Sequence, residues 1–423
     1  MLMLYLKHEW VDMNLMQTSI NESMIADVVT QTVDELTPRN LFHFSAPRQT
    51  LVGEGAILKI GTLLQDLNVV HVLIVADKVV YQKGLLSSAL RSLARAGIET
   101  NVFSGIEREP GTDVVQQGVT QLKQCNADFV LGFGGGSALD AAKVIAMLGS
   151  CNCTIEEFVS PGFSGRRTIG LGAVPTTAGT GSEVTDISVI LGPDREKKFL
   201  NKHADLMPDL AVVDPGLMLN LPPSVTAATG IDALTHAIEA FTARNANPIS
   251  KALAIAAIQK LVHALPIVVG DGEDREARLD MATAAYEAGL AFGNAGLGLV
   301  HAISHQVGAR YKIAHGVANG ILLPFVMVFN GLVCRSEYAA IAQVFGVARD
   351  AMTERQRCDA GVTAVRQLLA DIGLPNSLVA AGARPEHFNE LAEAALQDIC
   401  IVDNPRNVTK ADIIAILQQA SGT

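Results

Sequence analysis

Phe129-Val130-Leu131-Gly132-Phe133-Gly134-Gly135-Gly136-Ser137-Ala138-Leu139-Asp140 is the stretch that decides the fold. It begins as an apolar run of strand length, crosses three successive glycines, and continues from Ala138 to Met147 with helical composition. A strand that passes through glycine into a helix is half of a parallel α/β unit. The alternation extends to both sides. Val69 to Ala76 is continuously apolar, as a strand covered on both faces is. Leu85 to Ala96 predicts a helix closed by Gly97, Thr100 to Phe103 a short strand, and Val114 to Cys125 a helix. Ile169 to Val174 and Ala211 to Val213 add two more strands.

Beyond Pro222-Pro223 the strand signals fade and Ala-rich helical segments dominate. The chain of 423 residues thus divides into a leader (1–37), an α/β domain with a parallel sheet (38–222) and an all-α domain (223–423). Within the leader, Ile25, Val28, Val29, Val33 and Leu36 recur at helical spacing, with Asn21 or Ser23 as cap.

Composition narrows the function. Hydrophobic residues make up 49% and charged residues 18%, enough for large cores. The net charge of -11 argues against nucleic acid or an anionic membrane as partner. Mean hydropathy is +0.29, yet Ala252 to Val269 carries Gln259, Lys260 and His263, and Gly316 to Phe329 is too short to span a bilayer. The six cysteines form no CxxC pair, and Cys151 and Cys153 lie too close for an ordinary disulfide framework. Reduced thiols and a cytoplasmic protein are expected.

Gly134, Gly135, Gly136 and Ser137 at a helix start offer free N–H groups at the positive dipole end, a cradle for diphosphate. One glycine would serve a plain turn; three with a serine favour a ligand. The GxGxxG fingerprint and the P-loop are both absent. A second loop, Pro175-Thr176-Thr177-Ala178-Gly179-Thr180-Gly181-Ser182-Glu183, follows another strand at its carboxyl end, where open α/β sheets bind ligands. Asp77 ends the first strand, directly after Ala76. A carboxylate there accepts from a ribose 2′-OH and repels a 2′-phosphate, favouring NAD(H); the plainer reading is a helix N-cap.

Asp232 and His236 share one helical face at spacing i,i+4, and His301 and His305 repeat that spacing, with His315 ten residues further on. Any one of these histidines alone reads as a core residue bonded to a carbonyl. Together with Asp232, inside apolar helices, they point to a divalent metal with an open position, Fe(II) or Zn(II). His263 lacks motif neighbours and reads as structural.

These motifs, from Gly134 to Lys143, Pro175 to Glu183, Gly230 to Glu239 and Gly296 to Pro324, resemble the iron-containing (group III) alcohol dehydrogenase family over about residues 42 to 420. Ala395 to Arg406 and Asn330 to Cys334 are most similar to its ethanolamine-utilisation branch. The resemblance implies a dehydroquinate-synthase-like nucleotide-binding α/β domain, an all-α domain and a cleft between them. It implies iron held by Asp232, His236, His301 and His315, with His305 beside nicotinamide and substrate, a distinction that spacing leaves open. It carries cofactor contacts to Asp77, Gly135, Gly136, Ser137, Thr176, Thr177, Thr180, Lys198 and Leu217, and Gly134, Asp140 and Ser182 of the two loop motifs are counted with them as cofactor-binding. The implied reaction is hydride transfer between a short-chain primary alcohol and NAD, the proton relayed by His305, in a homodimer or larger homo-oligomer. The alternatives are a zinc polyol dehydrogenase, a dehydroquinate-synthase-like lyase, or an assembly-docked partner. The lyase would need a basic pocket, and the motif regions hold chiefly Lys143, Lys198 and Arg310.

Overall fold

The computed structural model describes residues 41–106, 110–151, 153–160, 162–192 and 198–422, so the leader helix lies outside the described residues. Among the described residues there are eight strands: β1 (Gln49–Val52), β2 (His71–Asp77), β3 (Glu99–Ile106), β4 (Phe129–Gly134), β5 (Gly170–Pro175), β6 (Ile187–Leu191), β7 (Lys198–Lys202) and β8 (Leu210–Val213). Six form a parallel sheet of order β1-β8-β5-β4-β2-β3, while β6 and β7 pair as an antiparallel hairpin. Six helices accompany them: α1 (Ile60–Asp66), α2 (Lys78–Gln82), α3 (Ser87–Arg95), α4 (Thr112–Cys125), α5 (Gly136–Ser150) and α6 (Ile155–Phe158).

Alternation along β2 explains the layering. Leu73 and Val75 face a core shared with α4 and α5, whereas Val72, Ile74 and Ala76 face one shared with α1 and α3. Both faces are covered, so the strand reads as an unbroken apolar run. Helix α5 is buried at Ala138, Leu139, Ala141, Ala142 and every position from Lys143 to Leu148, which accounts for its lack of a polar face.

Among the described residues nine helices follow without a strand: α7 (Pro223–Thr242), α8 (Pro248–Gly270), α9 (Arg275–Ala295), α10 (Leu299–Tyr311), α11 (His315–Asn330), α12 (Arg335–Val344), α13 (Glu354–Asp371), α14 (Phe388–Ala395) and α15 (Lys410–Ala420). Their starts follow local rules. Pro223 and Pro248 take the first turns of α7 and α8, where no N–H partner is lost, and Asn247 and Ser250 form a reciprocal capping box. Helix α8 is long and apolar enough to cross a membrane. It instead packs on α7 and α9 through Ala257, Ile258, Leu261 and Leu265, and Lys260 pairs with Glu287 at 2.8 Å. Residues Phe44–Thr423 form one compact unit.

One expectation about cysteine is corrected. Cys151 and Cys153 form a disulfide, their Cα atoms 5.3 Å apart. Cys151 leaves α5 in extended backbone. Cys125, Cys334, Cys358 and Cys400 are free.

Candidate active site

The carboxyl ends of β2, β4 and β5 meet at Asp77, Gly134 and Pro175. Gly134 has φ +156°, and a Cβ there would lie 2.1 Å from Asp77 Oδ2, so only glycine fits. Gly135 is the N-cap of α5, and its N–H donates to that Asp77 oxygen over 2.9 Å. Asp77 precedes α2 but makes no side-chain cap bond. Its carboxylate holds the glycine loop instead, and burial raises its pKa against the pull of that N–H.

The second loop lies alongside. Thr176 is buried and donates its N–H to Gly134 O at 2.9 Å, and Thr177 approaches Gly135. Ser182 Oγ donates to Asp140 Oδ1 at 2.6 Å, and Val189 N–H donates to the other oxygen at 2.9 Å. Asp140 and Ser182 therefore fasten α5 to the threonine loop and to β6. Gly136, Ser137 and Thr180 line the cleft. Leu217 ends a short turn, Pro215–Leu217, and packs on the sheet core. Lys198 opens β7, with its side chain outside the described residues.

Beneath this loop, α7 presents Asp232 and His236, α10 presents His301, and His315 opens α11. Helix α11 can approach because residue 316 is glycine: a Cβ there would meet Ala228 O of α7 at 1.9 Å. Three imidazole nitrogens converge on one carboxylate oxygen. His236 Nε2, His301 Nε2 and His315 Nε2 lie 3.7, 3.8 and 3.5 Å from Asp232 Oδ1. Donors on tetrahedral metal bonds of about 2.1 Å are separated by about 3.4 Å, so the quartet fits a divalent ion.

Two of the opposite ring nitrogens are held as metal-ligating imidazoles commonly are. His236 Nδ1 meets Gly179 O of the threonine loop at 3.2 Å, and His301 Nδ1 meets Glu239 Oε2 at 2.6 Å. Glu239, which holds His301 here, was given no role in the sequence reading, although it stands in the quoted Gly230–Glu239 motif. Burial opposes ionisation of Asp232, but His236, His315 and His301 outweigh it and hold the carboxyl well below its usual range. Burial pushes His236 down to about 4, keeping its ring neutral. For His301, the neighbouring Asp232 and Glu239 carboxylates overcome burial and lift it to about 9. Two buried carboxylates thus favour positive charge at this point, which a bound cation supplies.

His305 stands apart. Its Nδ1 pairs with Asp398 Oδ2 at 2.9 Å, and its ring stacks on His315 with centroids 5.4 Å apart. One cleft of about 780 Å³ is lined by Gly136, Ser137 and Thr180 on one side and by Asp232, His301 and His305 on the other. A dinucleotide cradle and a metal quartet open into the same space.

Sequence comparison matches the family described as "Iron-containing alcohol dehydrogenase" over residues 47–215 and "Fe-containing alcohol dehydrogenase family, C-terminal" over 226–421. The chain belongs to the iron-containing alcohol dehydrogenases. It is 42% identical to the probable alcohol dehydrogenase EutG of Salmonella typhimurium over 391 residues, covering 92% of this chain and 97% of the relative. It is 36% identical to the NAD-dependent methanol dehydrogenase of Bacillus methanolicus, covering 89% of this chain and 99% of that one. The solved structure of a 1,3-propanediol oxidoreductase superposes with a TM-score of 0.88 at 35% identity, covering 90% of this chain and all of that one. As an iron-containing alcohol dehydrogenase, the protein is an oxidoreductase of alcohols and aldehydes that uses NAD(H) and iron.

Proposed function

We propose that this dehydrogenase interconverts short-chain primary alcohols and their aldehydes in the cytoplasm, as a homodimer or larger homo-oligomer. The observation that carries the site assignment is the convergence of three imidazole Nε2 atoms on Asp232 Oδ1 within the cleft that also holds the glycine loop. Asp232, His236, His301 and His315 would hold iron, which would supply Lewis acidity, while bound NAD(H) would supply the hydride chemistry.

The remaining work belongs to the chain. Gly136 and Ser137, at the start of α5 beside Gly134 and Gly135, would offer N–H groups to the cofactor diphosphate, with Thr176, Thr177, Thr180, Lys198 and Leu217 as further contacts. Asp77 fixes the loop through Gly135 and offers its other oxygen to a ribose hydroxyl. Asp140 and Ser182 hold the two loops in register. His305 takes or returns the alcohol proton through Nε2. The named activity of the methanol dehydrogenase relative supports a small alcohol, and the family resemblance supports the oligomer.

Steady-state rates on a series of primary, secondary and long-chain alcohols with NAD test this reading. Highest kcat/KM on primary alcohols of two to four carbons supports it, and turnover confined to other classes overturns it.

A further inference from the structure

The contact between His305 and Asp398 joins residues 93 positions apart in the chain. Asp398 is the N-cap of the short turn Ile399–Asp403, so its place is set by the backbone it starts. Three donors fix its carboxylate. Oδ1 accepts the Cys400 N–H at 3.0 Å, and Oδ2 accepts Gln306 Nε2 at 3.2 Å besides the His305 ring at 2.9 Å. All three of these groups meet the carboxylate as an acceptor. An anionic carboxylate only accepts. The imidazole must therefore place its proton on Nδ1, which leaves the lone pair on Nε2.

The ring is also fixed in direction. It stacks on His315 at an interplanar angle of 13° and meets His301 edge-on, with centroids 5.9 Å apart. His305 and Asp398 both line the cleft that holds the metal quartet. Among the described residues Nε2 has no hydrogen-bond partner, so the acceptor end of the ring is free beside the quartet.

We infer that Asp398 is the positioning residue of His305: it selects the Nδ1–H tautomer and aims Nε2 at the substrate oxygen. This rests on the role proposed above for His305. The proton balance is simple. The alcohol O–H proton passes to Nε2, the imidazole becomes imidazolium, and Asp398 stays ionised and stabilises that charge. In aldehyde reduction the same proton returns to the oxygen. The arrangement resembles the buried carboxylate behind the histidine of a serine hydrolase in logic, although no nucleophile is involved.

The test is the isosteric Asp398→Asn. An amide can donate to Nδ1 and stabilise the opposite tautomer, which removes the acceptor at Nε2 without removing the contact. On iron-loaded enzyme, kcat for alcohol oxidation should fall about 10²-fold. KM for alcohol and NAD should move less than about threefold, with metal content unchanged. Asp398→Glu should recover part of the loss. His305→Ala combined with Asp398→Asn should be no slower than His305→Ala alone, because the two act as a unit. Additive losses, or an Asp398→Asn enzyme with undiminished kcat, would overturn the inference. A second readout is independent of turnover and of the proposed substrate. In zinc-loaded, 15N-histidine-labelled protein, the His305 resonances, assigned by their loss in His305→Ala, should show Nδ1–H. A His305 ring found as Nε2–H in the unaltered protein overturns the inference even if alcohol oxidation proceeds. An Nδ1–H ring in a protein that oxidises no alcohol upholds the positioning and removes only the parent reading.

Discussion

Glu239 Oε2 lies 2.6 Å from His301 Nδ1, and the same carboxylate accepts the N–H groups of Gly298 and Val300 at 3.0 and 2.7 Å. One side chain from α7 thus fixes both the ring and the start of the helix that carries it. Glu239→Gln keeps the shape but brings an NH₂ among donors. Metal affinity, read by chelator competition, should weaken about 10–100-fold. Unchanged affinity would show that Glu239 supports the helix and not the ligand.

His301→Ala removes an imidazole that sits between Asp232 at 3.8 Å and Glu239 at 2.6 Å. Bound iron, measured by elemental analysis, and turnover should be lost together, and the affinity loss should exceed the about 10–100-fold expected for an orienting partner. Metal-replete, active His301→Ala protein contradicts the ligand assignment.

Asp77 has one oxygen engaged by Gly135 N–H and is already desolvated. A 2′-phosphate beside it would meet like charge where screening is weak. Asp77→Ala should lower kcat/KM for NAD and narrow the ratio of NAD to NADP by about tenfold, since one pKa-sized term of 1.4 kcal/mol is tenfold. A ratio that does not change assigns Asp77 to loop support alone.

Glu183 and Lys143 predict a pH dependence of stability away from the quartet. Glu183 is buried and its pKa rises to about 7, chiefly by desolvation, with Oε2 lacking a partner among the described residues. Between its ordinary value of 4.5 and about 7 the folded state holds a proton that the unfolded state releases, so stability falls as pH rises through that window. The full loss is on the order of 3 kcal/mol. Desolvation lowers Lys143 to about 8, so between about 8 and 10.5 the unfolded state holds the extra proton, and the destabilisation that Lys143 causes below that window fades as pH rises. Thermal or denaturant unfolding of Glu183→Gln should lack the decline between pH 5 and 7 that the parent protein shows, about two units of linkage. Parallel curves for the two proteins contradict it.

What the sequence made legible was what it keeps local. The glycine loop, the threonine loop and the Asp232/His236 pair are contiguous, and their chemistry is carried by residue type. The strands buried on both faces were legible for the same reason, although β3 and α4 run longer than their apolar signals. Strand β1 and the β6–β7 hairpin were not, because β1 is a short edge strand and the hairpin is broken by the charged run Asp194 to Lys198. Spacing could not choose between His305 and His315, since both follow His301 at helical intervals. The choice is made by partners far away in sequence: Asp232 faces His315, while Asp398 takes His305. The orienting groups Glu239, Gly179 O and Asp398 are likewise long-range contacts, 62, 57 and 93 residues from their histidines.

The most direct test of the central claim is ethanol-dependent reduction of NAD and of NADP, measured anaerobically on protein stripped of metal and reloaded with Fe(II) or Zn(II). The account predicts no activity in stripped protein and NAD-preferring activity restored by Fe(II), lost again on His315→Ala. Full activity in metal-free protein, or none after reloading with any metal across small alcohols, would contradict it.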